Sequence, residues 1–159
     1  MSTKRDNFQL SDKKLMQLAI SLAENQKYFT GTNPSVGCVI TKNNKIISYG
    51  VTGKNGRPHA EINAINKKKS KDLYNSSIYV SLEPCTHYGK TPPCTNTLIK
   101  KKFKKVFFSH TDEDKRTKNT AKNILEKYKI NVKKNFINNK TKKLYSEYDF
   151  IRKNNFPYV

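Results

Sequence analysis

The residues of this 159-residue chain best suited to chemistry are one imidazole, one carboxylate and two thiols. His59 and Glu61 are separated by one residue, Pro84 precedes Cys85, and Cys94 follows after eight intervening residues. Imidazole nitrogen and thiolate sulfur are good zinc ligands, and three protein ligands leave the fourth tetrahedral position open for water. The spacing therefore predicts a catalytic zinc site held by His59, Cys85 and Cys94.

The carboxylate has a different predicted role from the three metal ligands. A His-x-Glu motif followed by Pro-Cys and a second cysteine is typical of zinc deaminases that act on nucleobases. In that chemistry the glutamate moves protons and does not bind the metal. Glu61 is therefore predicted to accept a proton from the activated water and to pass it to a ring nitrogen and the departing amine. A single histidine or cysteine would more often be a surface or core residue, so the prediction depends on the joint pattern.

Three further residues of the same types are interpreted differently. Cys38 lies in the apolar run Val36-Gly37-Cys38-Val39-Ile40, which favours packing in the core over metal binding. His87 lies between the two metal-binding cysteines and could contact either substrate or solvent. His110 ends a predicted strand and could simply be exposed, so the roles of both histidines stay open.

The elements that position these residues follow from hydrophobic periodicity and turn residues. The first half of the chain is predicted to form a helix from an N-cap at Ser11 to about Gln26, and then a hairpin of strands 36–41 and 45–49 around Asn43-Asn44. A helix with Pro58 in its first turn, a strand at 77–82 and a helix opened by Pro92-Pro93 should follow. The remaining predicted elements are a strand at 106–109, a helix at 117–128, a strand at 130–133 and a closing helix at 141–152. Strands that alternate with helices predict a three-layer α/β domain. The length suits one domain over residues 1–159.

The charge of the chain is strongly basic, at a formal +20. Lysines dominate and are dispersed, whereas the four arginines are scattered at positions 5, 57, 116 and 152. Surfaces that read bases tend to use arginine, so nucleic acid is an unlikely partner and the lysines are interpreted as solvated. The excess charge could still gather an anionic, phosphorylated substrate.

The cysteine count and the hydropathy pattern indicate the compartment. Three cysteines are too few for a disulfide framework, the first ten residues lack the apolar core of a secretory signal, and no apolar run approaches the length of a membrane span. These observations predict a cytoplasmic protein without a membrane partner.

Three segments of the sequence resemble one known family. They are Asn33-Pro34-Ser35-Val36-Gly37, His59-Ala60-Glu61 and the run LEPCTHYGKTPPC from Leu82 to Cys94. Together they resemble the deaminase domain of the bacterial RibD family of riboflavin biosynthesis, over almost the whole chain. The long loop between the cysteines is the most specific element, because the similar transfer-RNA adenosine deaminases and cytidylate deaminases usually keep only two residues there.

The resemblance implies a fold, a substrate and site residues. The fold would be the cytidine-deaminase-like α/β/α sandwich with a central mixed sheet of about five strands. The substrate would be 2,5-diamino-6-ribosylamino-4(3H)-pyrimidinone 5′-phosphate, which would lose its 2-amino group to water. Asn33 would bind the pyrimidine or its sugar, and Lys90 with Thr91 would contact the ribosyl-phosphate side. Replacement of Lys90 by alanine would then raise KM.

The chain departs from the family pattern in two segments and in its extent. Thr52 stands where the family often has histidine, and Asp112-Glu113-Asp114-Lys115 replaces a common Asp-Pro-Asn-Pro. Thr52 and Asp114 are therefore candidate substrate contacts whose effect on binding is open. The chain stops near where the family's reductase domain would begin, so no reductase activity is expected. A homo-oligomer and a separate reductase are the expected partners.

Two other functions remain as alternatives. One is deamination of a base in transfer RNA or in a free nucleotide, which the charge and the shared zinc motif favour. The other is a nucleic-acid-binding or scaffold protein that keeps zinc for stability alone. The second alternative requires a fourth protein ligand, and the sequence offers none near the motif.

Overall fold

Helices cover both faces of a five-stranded mixed sheet in the computed structural model, which describes residues 10–155. The strands are β1 (Gly37–Lys42), β2 (Lys45–Val51), β3 (Ser77–Leu82), β4 (Lys105–His110) and β5 (Asn131–Lys133). The helices are α1 (Asp12–Gln26), α2 (Ala60–Asn66), α3 (Ser70–Leu73), α4 (Cys94–Lys100), α5 (Ala121–Lys127), α6 (Asn138–Leu144) and α7 (Ser146–Asn154). The predicted three-layer α/β/α sandwich is confirmed.

The strand order is β2-β1-β3-β4-β5. Strand β1 is antiparallel to both of its neighbours, and β3, β4 and β5 run parallel to one another. The carboxyl ends of β3 and β4 therefore meet at one edge of the sheet. Cys85 follows β3 at this edge, and the segment 111–120 follows β4. The topology thus brings the metal-binding segment and a second loop side by side.

Alternating side chains of the strands separate two apolar layers. Val39, Tyr79 and Phe107 pack with the buried face of α1. The residues next to them in the strands lie on the opposite face of the sheet, where they pack with residues of α2, α4 and α5. These strand residues are Cys38, Ile40, Ile78, Val80, Val106 and Phe108. The thiol of Cys38 is fully buried and donates to the Ala60 carbonyl at 3.2 Å, which confirms its predicted place in the core.

Two local predictions are confirmed by the backbone. Ser11 caps α1, since its hydroxyl accepts from the Lys14 N–H at 3.3 Å. Asn43 and Asn44 have φ values of 49° and 61°, as a two-residue turn of the primed type requires between strands. The hairpin β1–β2 therefore forms at the predicted position.

Three local predictions are wrong, and one short helix was not predicted. Helix α5 begins at Ala121 rather than at the predicted residue 117. Helix α2 begins at Ala60, so Pro58 lies before the helix and His59 is its N-cap residue. Helix α3 is missing from the prediction because four residues are too few to show a helical period. The single closing helix at 141–152 is two helices, because the chain turns at the buried Tyr145 (φ −99°, ψ 6°).

The hydroxyl of Tyr145 joins three parts of the fold, and its removal gives a test of that packing. It lies 2.7 Å from Ser81 Oγ and donates to the Ser35 carbonyl at 2.8 Å, with the side chain almost wholly buried. Tyr145→Phe leaves these buried groups short of a partner, so the free energy of unfolding should fall by about 1–2 kcal/mol. Urea unfolding measures the change, and Tyr28→Phe, at a ring that is 88% exposed, should cause none. Equal stability of the two variants would contradict the assignment.

Within residues 10–155, no helix combines the length and the apolar character that a bilayer span requires.

Candidate metal centre and pocket

The three predicted metal ligands lie together. His59 Nδ1 is 3.2 Å from Cys94 Sγ and 3.6 Å from Cys85 Sγ, and the three ligand atoms all lie within 4.8 Å of one another. Zinc–sulfur and zinc–nitrogen bonds of about 2.0–2.3 Å place tetrahedral ligand atoms roughly 3.5 Å apart. The side chains therefore fit one zinc ion with little movement.

The local fold explains why these ligands converge. His59 is the N-cap residue of α2 but makes no side-chain capping bond, so its ring is available for the thiols. Cys94 opens α4, and its backbone N–H donates to Cys85 Sγ at 3.2 Å. Thr95 holds the same segment, because its N–H and its hydroxyl donate to the Cys85 carbonyl at 3.3 and 3.2 Å. The start of α4 thus folds around Cys85.

The protonation states of the ligands suit metal binding. A hydrogen bond from the Cys94 side chain lowers the pKa of the Cys85 thiol to about 4, and His59 acts in the same direction. The same bond, together with burial, raises the pKa of the Cys94 thiol. The hydrogen bond to Cys85 raises the pKa of His59. One thiolate is therefore present near neutral pH, which is the form that binds zinc.

Glu61 lies beside the metal centre in the first turn of α2. It is only 4% exposed, and this burial raises its pKa to about 7. The carboxylate also hydrogen-bonds to the Cys94 side chain. A carboxylate with a pKa near neutrality can both accept and give up a proton at working pH.

A pocket opens in front of these residues. It encloses about 670 Å³ of space outside the atoms, open solvent included. Six of the predicted site residues line it: Asn33, Thr52, His59, Glu61, Cys85 and Asp114. The metal centre is thus accessible to a small ligand.

Two of the residues predicted to contact substrate already form hydrogen bonds with the backbone. Asn33 Nδ2 donates to the Asn55 carbonyl at 3.1 Å, so the carbonyl oxygen of its amide is the group it can offer a ligand. Thr52 Oγ1 accepts from the Val36 N–H at 2.8 Å and fastens the end of β2 to the start of β1. Both residues remain predicted contacts on this wall of the pocket.

The loop residues Lys90 and Thr91 are exposed, and neither lines the pocket. Thr91 reaches the metal centre through Arg57, whose Nη1 donates to Thr91 Oγ1 at 2.6 Å and lies 3.0 Å from His59 Nε2. The structure gives Lys90 no comparable link. Its predicted contact with the substrate phosphate stays a prediction.

The two histidines with open roles differ in their surroundings. His87 lines the pocket, and its Nδ1 is 3.0 Å from Thr117 Oγ1. His110 is buried at the end of β4, and its Nε2 lies 2.7 Å from Asp149 Oδ2 of α7. His87 therefore faces the pocket, whereas His110 fastens α7 to the sheet.

Sequence reasoning missed several pocket residues, among them the buried Glu83. Its carboxylate accepts backbone N–H groups from Asp112, Asn119 and Ala121 at 3.2, 3.1 and 3.1 Å. It therefore fixes the 111–120 segment to a position two residues before Cys85. Because the partners are backbone groups, no sequence pattern would have indicated them.

The missed residues also include Arg57, Arg116, Tyr148 and Arg152. Tyr148 on α7 donates to Asp112 Oδ1 at 2.9 Å, which brings that helix to the pocket. The only sequence signal for the three basic residues is their type, because arginine is rare among the 32 basic residues of the chain. Their separation along the chain concealed the shared location.

The Asp114–Arg116 pair predicts an acid-dependent part of stability. The Arg116 hydrogen bonds hold the pKa of Asp114 at about 2, below its ordinary 3.8. Because the pKa of Asp114 is lower in the folded protein than its ordinary value, the carboxylate stabilises the fold at pH values above about 3.8. This stabilisation is lost as the pH falls through about 2. Because solvent screens the half-exposed Arg116, Asp114→Asn should cost about 1 kcal/mol near neutral pH and nothing in strong acid.

Urea unfolding of the wild type and of Asp114→Asn across this pH range measures the difference. Glu126→Gln is the matched control, because Glu126 forms an exposed ion pair with Lys122 at 3.7 Å that should contribute little. A difference between wild type and Asp114→Asn that does not depend on pH would contradict the assignment.

Comparison with known families supports the same chemistry. A family model described as the cytidine and deoxycytidylate deaminase zinc-binding region matches residues 10–110. The diaminohydroxyphosphoribosylamino-pyrimidine deaminase of Buchnera aphidicola subsp. Acyrthosiphon pisum is 37% identical over 148 residues, which cover 93% of this chain and 100% of that protein.

Longer proteins are also similar to the chain. The riboflavin biosynthesis protein RibD of Aquifex aeolicus is 45% identical over 101 residues, which cover 64% of this chain and 28% of that protein. A structure of Acinetobacter baumannii RibD superposes with a TM-score of 0.85 at 36% identity, over 93% of this chain and 42% of that one. The match thus covers less than half of each of these two proteins.

Proposed function

The chain belongs to the cytidine and deoxycytidylate deaminase family, and from this premise we propose that it is the zinc-dependent deaminase of riboflavin biosynthesis. Its reaction would be the hydrolytic removal of the 2-amino group from 2,5-diamino-6-ribosylamino-4(3H)-pyrimidinone 5′-phosphate, with release of ammonia. The observation that carries the proposal is Glu61 beside the His59, Cys85 and Cys94 cluster in one pocket. The similarity to the Buchnera deaminase supports the choice of substrate.

The proposed roles follow from the geometry of the pocket. His59, Cys85 and Cys94 would hold zinc, which when bound supplies a Lewis acid that lowers the pKa of water to about 7. Glu61 takes the proton of the attacking water as the oxygen adds to the carbon that bears the amine. It passes this proton to the adjacent ring nitrogen, then takes the remaining proton from the hydroxyl on that carbon and delivers it to the amine as the C–N bond breaks, so that one water is consumed and one ammonia is released.

The walls of the pocket would orient the pyrimidine. Asn33 offers an amide oxygen at one side, and Thr52 holds the backbone between β1 and β2 in place beside it. Lys90 and Thr91 on the exposed loop are proposed to meet the ribosyl-phosphate end, with Thr91 held by Arg57. The reacting carbon would thereby face Glu61.

The proposal also covers the partners, the compartment and the domain organisation of the enzyme. A homo-oligomer and a separate reductase are proposed from the resemblance to the RibD family. A reducing cytoplasm is supported by the three cysteines, which are all free thiols. One deaminase domain is proposed for residues 1–159, since the elements within 10–155 share one sheet.

Ammonia release tests the function directly. Zinc-loaded protein is incubated separately with the diaminopyrimidinone phosphate, with cytidine and with transfer RNA, and the ammonia released from each is measured. The proposal expects ammonia from the pyrimidinone phosphate far above that from the other two. Release from transfer RNA or cytidine alone would reassign the substrate, and release from none would refute the deaminase activity.

A further inference from the structure

The arginines of the chain share one location. Lysines far outnumber arginines among its 32 basic residues, and Arg5 lies outside the described residues. The three described arginines, Arg57, Arg116 and Arg152, all line the pocket, whereas no lysine within residues 10–155 does so. A Lys-rich composition alone would have placed lysines there. The guanidinium group differs from the ammonium group in its planar fork, which matches phosphate in a bidentate manner.

Arg57 lies at the rim beside the metal centre. Its Nη1 donates to Thr91 Oγ1 at 2.6 Å and approaches His59 Nε2 at 3.0 Å. A guanidinium carries five N–H donors, so these two contacts leave Nη2 and Nε as donors for a ligand. The guanidinium is held in position and still has hydrogen-bonding capacity.

Arg116 is held by Asp114. Its Nε donates to Asp114 Oδ1 at 2.9 Å, and its Nη2 donates to Asp114 Oδ2. Asp114 is itself almost buried, whereas the Arg116 side chain is 56% exposed. The bidentate pair orients the guanidinium and leaves Nη1 available at the pocket.

Glu83 and Asp112, unlike Asp114, take no hydrogen bond from the two guanidinium groups. Glu83 is occupied by three backbone N–H groups, and Asp112 accepts from the Tyr148 hydroxyl and the Asp114 N–H. An anion at the rim would therefore meet guanidinium donors rather than unbonded carboxylates.

The loop between the cysteines connects the surroundings of the two arginines. A Cβ at Gly89 would lie 3.5 Å from Arg57 Nη2 and 3.9 Å from His87 Nε2. His87 in turn contacts Thr117, the residue after Arg116. The rim thus runs from Arg57 past Gly89 and His87 to Arg116.

We propose that Arg57 and Arg116 form the anion subsite that receives the phosphate of the substrate and that they set the preference for phosphorylated over unphosphorylated pyrimidines. The subsite adds to the contacts proposed for Lys90 and Thr91, and Asp114 is a positioning residue for Arg116. The inference rests on the proposed deaminase function for its substrate. Anion binding itself can be measured without turnover.

The test uses zinc-loaded protein and two readouts. Calorimetric titration with ribose 5-phosphate measures the subsite alone, and KM for the pyrimidinone phosphate is compared with KM for its unphosphorylated counterpart. Arg57→Gln and Arg116→Gln should each weaken ribose 5-phosphate binding by about 10- to 100-fold. They should raise KM only for the phosphorylated compound. Lys68→Ala, at an exposed lysine outside the pocket, should change neither readout.

Two further variants distinguish loss of the anion contacts from loss of the fold or of the metal ion. Arg116→Lys keeps the charge without the fork and should bind with intermediate strength. The double variant Arg116→Gln with Asp114→Asn removes the ion pair as a unit and should bind as weakly as Arg116→Gln. Zinc content and thermal unfolding are recorded for every variant, because Arg57 also touches His59.

The outcomes separate the subsite from the proposed function. Unchanged ribose 5-phosphate binding in both arginine variants, no binding by the wild type, or a loss confined to Lys90→Ala would each overturn the subsite. Active arginine variants that keep the wild-type preference for phosphate would also overturn it. Binding that is lost in the arginine variants, in a wild type that releases no ammonia, would uphold the subsite and refute the deaminase function.

Discussion

Replacement of Glu61 by glutamine is expected to lower kcat by about 100- to 10,000-fold with zinc content unchanged. The amide has nearly the shape of the carboxylate but cannot accept the proton of the attacking water. Glu61 is buried in the pocket wall and none of the three metal ligands is altered. The loss should therefore fall on turnover rather than on metal binding.

Steady-state ammonia release and metal analysis of the same protein samples measure the two effects. Glu24→Gln, at an exposed glutamate on α1, is the matched control and should retain wild-type kcat. Wild-type turnover by a zinc-loaded Glu61→Gln enzyme would remove Glu61 from the proton-transfer role. Loss of zinc in this variant would show instead that the carboxylate supports the metal centre.

Replacement of Cys85 by alanine should reduce bound zinc to near zero and abolish deamination. The variant loses one of three protein ligands and also the acceptor for the Cys94 N–H, which lies 3.2 Å from the sulfur. Because metal binding contributes to folding free energy, the wild type should lose stability on treatment with a chelator. The Cys85→Ala protein should respond little to the same treatment.

Cys38→Ala is the matched control for Cys85→Ala, since it removes a thiol that lies outside the metal centre. Cys38 packs in the core and bonds to the Ala60 carbonyl, so the control should keep zinc and lose only stability. Metal analysis and thermal unfolding with and without chelator compare the two variants. Zinc retained in Cys85→Ala, or lost in Cys38→Ala, would contradict the assigned ligands.

The metal centre could be predicted from sequence because its information is local. His59 and Glu61 are two residues apart, and Cys85 and Cys94 flank one loop, so residue type and spacing sufficed to nominate them. The strands were predictable for a similar reason, since apolar runs bounded by turn residues predict them directly. Strand β3 was predicted with the same bounds as the structure gives.

The pocket walls could not be predicted in the same way. Arg57, Arg116 and Arg152 come from a loop before α2, a loop after β4 and helix α7, and only the tertiary fold brings them together. The break at Tyr145 was likewise invisible, because burial of its ring and the bond to Ser35 override the helical propensity of the segment. Long-range contacts, rather than local patterns, determine these features.

The three hydrogen bonds that Glu83 accepts are expected to couple the two proposed binding events. They join the segment that leads to Cys85 with the 111–120 loop that carries Asp114 and Arg116. A metal ion that immobilises Cys85 would thereby reduce the freedom of the anion-binding loop before any substrate arrives. Such coupling is reciprocal, so metal and phosphorylated ligand should each increase the affinity of the protein for the other.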